Sequence, residues 1–367
     1  MTEPVLDVRD LHVRFPGDDG VVHAVDGVTF EVAEREIVGI VGESGSGKSM
    51  TALAIMGLVP EPGKVTSGEI RFRGGDMLKE SLEKVREMRG RDIAMIFQDP
   101  LSSLNPVLRT GYQVAEAMLA HGRADRKGAM ARAVDLLRQV RVPAPAQRAR
   151  DYPFQLSGGM RQRAMIAMGL ANAPSLLIAD EPTTALDVTV QAQILKLLRD
   201  LNRETGTAVM LITHNLAVVA GLCSRVIVMY AGQIVEQGPV LDIFERPQHP
   251  YTWSLLRSIP RLDEQRHERL RSIEGLPPDL IAPPVGCRFH PRCPFRVEQC
   301  FTEEPPLEDI GPGHRAACWV TMRRANDEMG AATLLDVRPG AGSGVHGPGP
   351  PTVDRVTAPG GARRTGG

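Results

Sequence analysis

The chain has 367 residues, 42% of them hydrophobic, and its 43 basic and 44 acidic residues leave a formal net charge of −1. That length holds one large domain with an appendage, or two domains, and the charge balance gives no electrostatic case for nucleic acid, whose binders usually have a basic domain. No apolar run approaches the roughly 18 residues of a membrane span, and the start Met-Thr-Glu-Pro has no basic-then-apolar leader. The expectation is a cytoplasmic chain that relies on other chains for any membrane work.

Residues 5–15 and 21–40 alternate apolar and polar side chains around a Gly/Asp break at 17–20, which predicts antiparallel strands. Ile37–Val41 is a continuous apolar run, the mark of a strand buried on both faces. It leads into Gly42-Glu43-Ser44-Gly45-Ser46-Gly47-Lys48-Ser49, a complete G-x-x-x-x-G-K-[ST] pattern, and a helix is predicted over 50–58. Gly42, Gly45 and Gly47 free the backbone to curl, so that N–H groups from Ser44 and Ser46 onward face phosphate oxygens at a helix N-terminus. Lys48 then reaches the β- and γ-phosphates, and Ser49 holds Mg²⁺. A ligand-free Gly-rich turn is the plain alternative, and the eight matched residues with both flanks correct argue against it.

Ser67 to Gly74 predicts a short strand and turn, and Ile93–Phe97 a buried strand ending at Gln98. Residues 100–170 are rich in Ala, Leu, Met, Arg and Gln at helical spacing, broken by Pro143, Pro145 and Pro153, and predict a helical insertion. Leu176–Asp180 reads as a buried strand ending in an acid, 188–203 as an amphipathic helix, 208–213 as a strand with a short helix after Asn215, and 225–238 as a hairpin around Ala231-Gly232. Such alternation implies an α/β fold with a mostly parallel sheet. Its ligands gather at the carboxyl ends of the strands, where Lys48, Gln98, Asp180 and His214 can converge. A helix is expected over 250–259. Prolines are dense at 277–306, and from about 327 the Gly/Pro/Thr/Arg-rich composition predicts a disordered tail.

Asp180 can organise Mg²⁺, which keeps most of its waters and takes few protein ligands. Glu181 stands where a carboxylate could polarise an attacking water. The Gln98 amide could sense the metal or that water, and His214 could donate to a γ-phosphate. Taken singly, the alternatives are a strand cap of solvated acids, a surface amide at a strand end and a structural histidine, and the last is the commoner role for a lone histidine. Gln155-Leu156-Ser157-Gly158-Gly159-Met160 is a turn opening a helix, with a hydroxyl, free N–H groups and a helix dipole to offer an anion. It reads as a second phosphate-binding element, one use of which is to contact nucleotide held by another subunit; an ordinary N-capped helix is the plain alternative, which spacing alone does not exclude.

Five cysteines are present. Cys223 stands alone and reads as an inert core thiol. Cys287, Cys293, Cys300 and Cys318 are spaced x5, x6 and x17 apart. In a reducing compartment that grouping favours a metal over disulfides, although the paired C-x₂-C knuckles of structural zinc sites are missing.

The set Gly42–Ser49, Gln98, Leu156–Met160, Asp180-Glu181, Ala185-Leu186-Asp187 and His214, in that order, resembles the ATP-binding subunit of an ABC transporter over about residues 5–245. The resemblance implies a P-loop NTPase (RecA-like) core with an antiparallel β subdomain and an α-helical signature subdomain. The implied division is 1–246 for the ATPase domain (helical part about 100–170), 247–326 for a small Cys-rich extension and 327–367 for a tail. It makes Glu181 the base, aided by His214 and Gln98, with Ser49, Gln98 and Asp180 around Mg²⁺. Ser157, Gly158 and Gly159 become the signature closing on a partner's ATP. Asp187 joins the loop coupling the two sites, and Phe15 resembles the aromatic that stacks on adenine.

Met160 in the signature, Gln98-Asp-Pro-Leu-Ser-Ser-Leu-Asn-Pro106 and His249-Pro-Tyr-Thr252 are similar to the dipeptide/oligopeptide (peptide/nickel) importer subfamily. That resemblance implies import driven by ATP hydrolysis at the cytoplasmic face of the membrane. The implied partners are a related ATPase subunit (or a second identical one), two integral membrane permeases and an extracytoplasmic substrate-binding protein, with no nucleic acid. It also implies a [4Fe–4S] cluster on Cys287, Cys293, Cys300 and Cys318, with zinc as the alternative. A non-transport ABC ATPase acting on the ribosome or DNA is the competing reading. One phosphate loop, one signature, no long heptad run and the near-neutral charge argue against it.

Overall fold

The computed structural model describes residues 3–184, 186–258 and 273–322. Strands β1 (Leu6–Gly17) and β2 (Gly20–Val32) form a hairpin. The apolar pattern expected to run on to residue 40 breaks after Val32, where Arg35 takes a φ of 61°, and β3 (Ile37–Val41) enters a different sheet. Helix α1 (Lys48–Ile55) begins on the lysine of the phosphate-loop pattern, and β4 (Lys64–Phe72), β5 (Gly75–Asp76), α2 (Leu82–Met88) and β6 (Ile93–Ile96) follow. The insertion contains α3 (Pro100–Ser103), α4 (Thr110–Leu119), α5 (Arg126–Gln139), α6 (Pro145–Arg148) and α7 (Gly158–Gly169). Its prolines sit at helix starts and breaks, where a missing N–H costs nothing.

Next come β7 (Leu176–Asp180), α8 (Val188–Thr205), β8 (Ala208–Ile212), α9 (Leu216–Leu222), β9 (Arg225–Tyr230) and β10 (Gln233–Pro239). Then follow α10 (Val240–Glu245), α11 (Pro250–Arg257), β11 (Glu308–Gly311) and β12 (His314–Ala316). The tail expected from 327, and the last residue of the helix expected over 250–259, lie outside the described residues.

Two sheets organise these elements. One is antiparallel, in the order β2-β1-β4-β5. The other runs β11-β12-β10-β9-β3-β8-β7-β6, parallel from β9 to β6 and antiparallel across β9-β10-β12-β11. Strand β3 lies inside the parallel part, and all five of its residues are buried. Its alternating side chains serve two cores. Val38 and Ile40 pack with α1 and the antiparallel sheet, and Ile37 and Val41 with the helical insertion and the carboxy-terminal segment. The mixed α/β fold matches the expected one.

The Cys- and Pro-rich segment is more deeply integrated than its composition implies. Its strand β12 pairs with β10 (Glu236 opposite Ala316), and its Phe289 and Cys293 belong to the core containing Ile37 and Val41. Among the described residues no helix is long and apolar enough to cross a membrane.

Candidate nucleotide site

The loop after β3 has the backbone that the glycine spacing requires. Gly42 adopts φ 155° and Gly47 φ 98°; a Cβ at Gly42 would lie 2.2 Å from the Met229 carbonyl oxygen, and one at Gly47 would lie 2.6 Å from that of Ala24. Only glycine tolerates both the conformation and the crowding. Ser46 N–H donates to Glu43 O (3.2 Å), and Gly232 N–H donates to Ser46 O (3.0 Å), so the loop is braced by the turn between β9 and β10. Lys48 is buried, and its Nζ donates to Gly42 O (2.9 Å), Glu43 O (2.8 Å) and Ser46 Oγ (3.2 Å). Burial lowers the affinity of this amine for its proton, opposed by the charges of Glu181, Asp180 and Glu43.

The end of β7 delivers two carboxylates to the loop. Asp180, the last residue of β7, accepts from Ser49 Oγ at 3.1 Å. Burial pushes its carboxyl upward, only partly offset by the Ser49 hydrogen bond. A hydroxyl beside one carboxylate is an oxygen donor set that suits Mg²⁺.

Glu181 follows with φ 46°, a left-handed backbone for a non-glycine residue, and its N–H donates to Ile212 O at 2.8 Å. Three side chains grip its carboxylate: Gln98 Nε2 at 3.0 Å and Thr184 Oγ1 at 2.8 Å on Oε2, and His214 Nδ1 at 2.9 Å on Oε1. Burial would raise this carboxyl, but the His214 and Thr184 hydrogen bonds and the His214 and Lys48 charges hold it below the usual range. Glu181 therefore combines a left-handed backbone with a carboxylate held in place and kept ionised, an arrangement that can accept a proton.

The signature turn opens α7. Ser157 caps α7, its Oγ accepting from Met160 N–H at 3.4 Å. Gly159 packs against Val190, where an added Cβ would stand 2.8 Å from Cγ1, and Gly158 faces Leu186. Asp187 caps α8 by accepting from Val190 N–H at 2.9 Å. The signature and the Asp187 turn therefore adjoin. Among the described residues no hydrogen bond links Ser157, Gly158, Gly159 or Asp187 to the loop at 42–49. Phe15 is half-buried near the end of β1, its ring laid over Gly63.

Sequence reasoning missed four residues. Thr184 had a usable signal, since it stands one turn beyond Glu181 and donates back to it. Glu43 was seen only as a spacer, yet Tyr251 Oη accepts from its N–H (2.9 Å) and Arg292 bonds its carboxylate (2.7 Å). These partners come from 208 and 249 residues away, beyond the reach of any local pattern.

Cys287, Cys293, Cys300 and Cys318 line one pocket together with Phe289 and Trp319. Burial pushes the Cys287 thiol up to about 11 and the Cys293 thiol up to about 12. The Cys318 Sγ donates to Val320 O at 2.9 Å. Four soft sulfur donors suit iron–sulfur or zinc chemistry. Among the described residues, however, no group of three or more His, Cys, Asp or Glu stands close enough to hold a metal ion. The pocket gathers the expected ligands without a formed coordination site. Cys223 is buried apart from them, its thiol pushed up to about 12.

Residues 25–184 match the family described as ABC transporter, and residues 235–300 match the oligopeptide/dipeptide transporter C-terminal region. A probable peptide ABC transporter ATP-binding protein, y4tR, of Sinorhizobium fredii is 55% identical over 86% of this chain and 94% of its own length. The dipeptide transport ATP-binding proteins DppD of Bacillus subtilis (50% identical, covering 88% and 96%) and Escherichia coli (47%, 90% and 99%) are similar throughout. Among solved structures, the ATP-binding cassette MJ0796, a dimer in a post-hydrolysis state with ADP and Pi, superposes with a TM-score of 0.58. It is 28% identical and covers 64% of this chain and 98% of the cassette.

Proposed function

This chain belongs to the ATP-binding subunits of ABC transporters and hydrolyses ATP, and we propose that its hydrolysis drives the import of dipeptides or oligopeptides. The observation that carries the catalytic part is the Glu181 carboxylate, held by Gln98, Thr184 and His214 beside the Ser49–Asp180 pair at the phosphate loop. Glu181, ionised at neutral pH, accepts a proton from the attacking water, and His214 and Gln98 keep its oxygens oriented. Lys48 and the loop N–H groups of Ser44 to Ser49 bind the β- and γ-phosphates. Ser49 and Asp180 would hold Mg²⁺ with Gln98 nearby, and the ion supplies charge neutralisation on the phosphate oxygens. Phe15 offers its ring to adenine.

Among the described residues Ser157, Gly158 and Gly159 share no hydrogen bond with this chain's own loop, which supports their use on nucleotide bound by a partner. Asp187, adjoining them, links the two sites. The dimeric cassette among the structural relatives favours such an arrangement. The partner is a related ATPase subunit, or a second copy of this chain. Two permeases and an extracytoplasmic binding protein complete the importer, which places this chain peripherally at the cytoplasmic face. The functional division runs 1–246, 247–326 and 327–367. A metal on the four cysteines, [4Fe–4S] ahead of zinc, rests on their lining one pocket, and among the described residues they are not gathered closely enough to hold an ion as the chain is folded. Metal analysis and electron paramagnetic resonance of the anaerobically purified chain test this, and a metal-free protein would remove it.

In the assembled transporter, Glu181→Gln should lower ATP turnover by a factor on the order of 10² to 10⁴ while leaving ATP binding intact. Turnover within tenfold of the native rate would remove Glu181 from the role of base. Purification of the tagged chain from its own membranes should bring two permeases and a second ATPase subunit with it. Ribosomal or DNA-associated proteins in their place would overturn the transport reading.

A further inference from the structure

The carboxy-terminal segment grips one residue of the phosphate loop from two directions. Arg292 meets the Glu43 carboxylate with two prongs, Nη1–Oε2 at 2.7 Å and Nη2–Oε1 at 3.1 Å. The arginine side chain is 5% exposed and is further fixed by donation to Glu274 O (3.0 Å), Ile273 O (3.3 Å) and Tyr230 Oη (3.3 Å). Tyr251, fully buried in α11, accepts from the Glu43 N–H at 2.9 Å. Tyr251, Tyr230 and Phe289 pack with ring centroids 4.6 to 5.4 Å apart, which locks both contacts to the core. The carbonyl of the same Glu43 accepts from Lys48 Nζ at 2.8 Å. A single loop residue thus joins the far segment to the phosphate-binding lysine.

We propose that Arg292, with Tyr251, is a positioning device for ATP. It neutralises a carboxylate that would otherwise repel phosphate beside the loop, and it fixes the backbone from which Lys48 is aimed. The inference rests on the phosphate-loop assignment made above. Both side chains are buried and act on nucleotide through Glu43, so the effect belongs to binding more than to the chemical step. A two-pronged guanidinium–carboxylate contact is not reproduced by lysine, which acts as a point charge.

The test uses the full chain, with a fluorescent ATP analogue for dissociation constants, and the assembled transporter for KM and kcat. Arg292→Ala should weaken nucleotide binding and raise KM by about fivefold or more, with kcat at saturating ATP within about twofold, as expected when one member of a coupled pair is lost. Glu43→Gln should cost less, and in the double variant Glu43→Gln/Arg292→Ala it should recover part of the loss, since the unpaired charge is gone. Arg292→Lys should fall between Arg292→Ala and native. If Arg292→Ala does not fold, Arg292→Lys and Tyr251→Phe are read by the same two constants. Unchanged affinity and KM in these variants, or a loss that Glu43→Gln does not relieve, overturns the proposal. Lys48→Ala is the separate control. If it binds ATP normally, the phosphate-loop assignment itself fails, whereas its loss of binding beside an unaffected Arg292→Ala sinks only the positioning role.

Discussion

At the scale of single residues, charge placement around the nucleotide site has measurable consequences. Thr184 donates to the same Glu181 oxygen as Gln98. With Glu181 as the base proposed above, Thr184→Val should lower kcat by about tenfold with little change in KM, because a carboxylate that is less well held loses orientation before the substrate loses affinity. Steady-state kinetics on the transporter checks this.

Asp26 is the other residue with a strong signature. Burial would raise its carboxyl, but the Arg14 hydrogen bond, the Arg288 and Arg14 charges and the His12 hydrogen bond outweigh burial and hold it at about 2. A depressed carboxyl stabilises the fold at pH values above its unfolded-state value near 4 and loses that contribution as pH falls toward 2. The contribution is about 2 kcal/mol at neutral pH. Denaturant melts from pH 5 to pH 2 should show Asp26→Asn with a shallower acid decline than the native chain.

At the scale of elements, the buried Glu236 on β10 ties three pieces together. Its carboxylate accepts from Gln248 N–H (2.7 Å) and His249 N–H (2.9 Å) at the start of α11, and lies 2.7 Å from His314 Nε2 on β12. Removing it strands several buried polar groups at once. Glu236→Ala should cost about 3 kcal/mol or more and expose the segment beyond 246 to proteolysis. Limited digestion that leaves native and variant chains equally resistant would contradict this. Prolines account for the breaks expected near the end of the helical insertion. Pro145 opens α6 and Pro153 precedes α7, each at a position where its missing N–H has no partner to lose.

At the scale of the whole molecule, the described carboxy-terminal segment is built into the sheet and core of the residues before it. It supplies two strands to the larger sheet, the Phe289 ring to the core, Arg288 to Asp26 and Arg292 to Glu43. A chain ending at residue 246 should melt several degrees lower than the full chain, since it uncovers β10 and the Tyr230 ring. Saturating ATP should recover less of that loss than it adds to the native protein, because ligand stabilisation scales with affinity. Calorimetry with and without nucleotide reads both effects.

The sequence by itself determined the phosphate loop, the strands that carry Lys48, Asp180 and His214 to one edge, and the helical insertion. Those features depend on local requirements: glycine where φ is positive, continuous apolar residues where a strand is buried on both faces, proline where a helix starts. The grip of three side chains on Glu181 was half legible, because Gln98 and His214 stand at strand ends while Thr184 was passed over. Only the tertiary structure decided that β2 and β3 part into different sheets, that the four cysteines share a pocket, and that Arg292 reaches Glu43 across 249 residues. Such long-range pairings follow from how buried surfaces are shared once the chain has closed on itself, and no local pattern of residues encodes them.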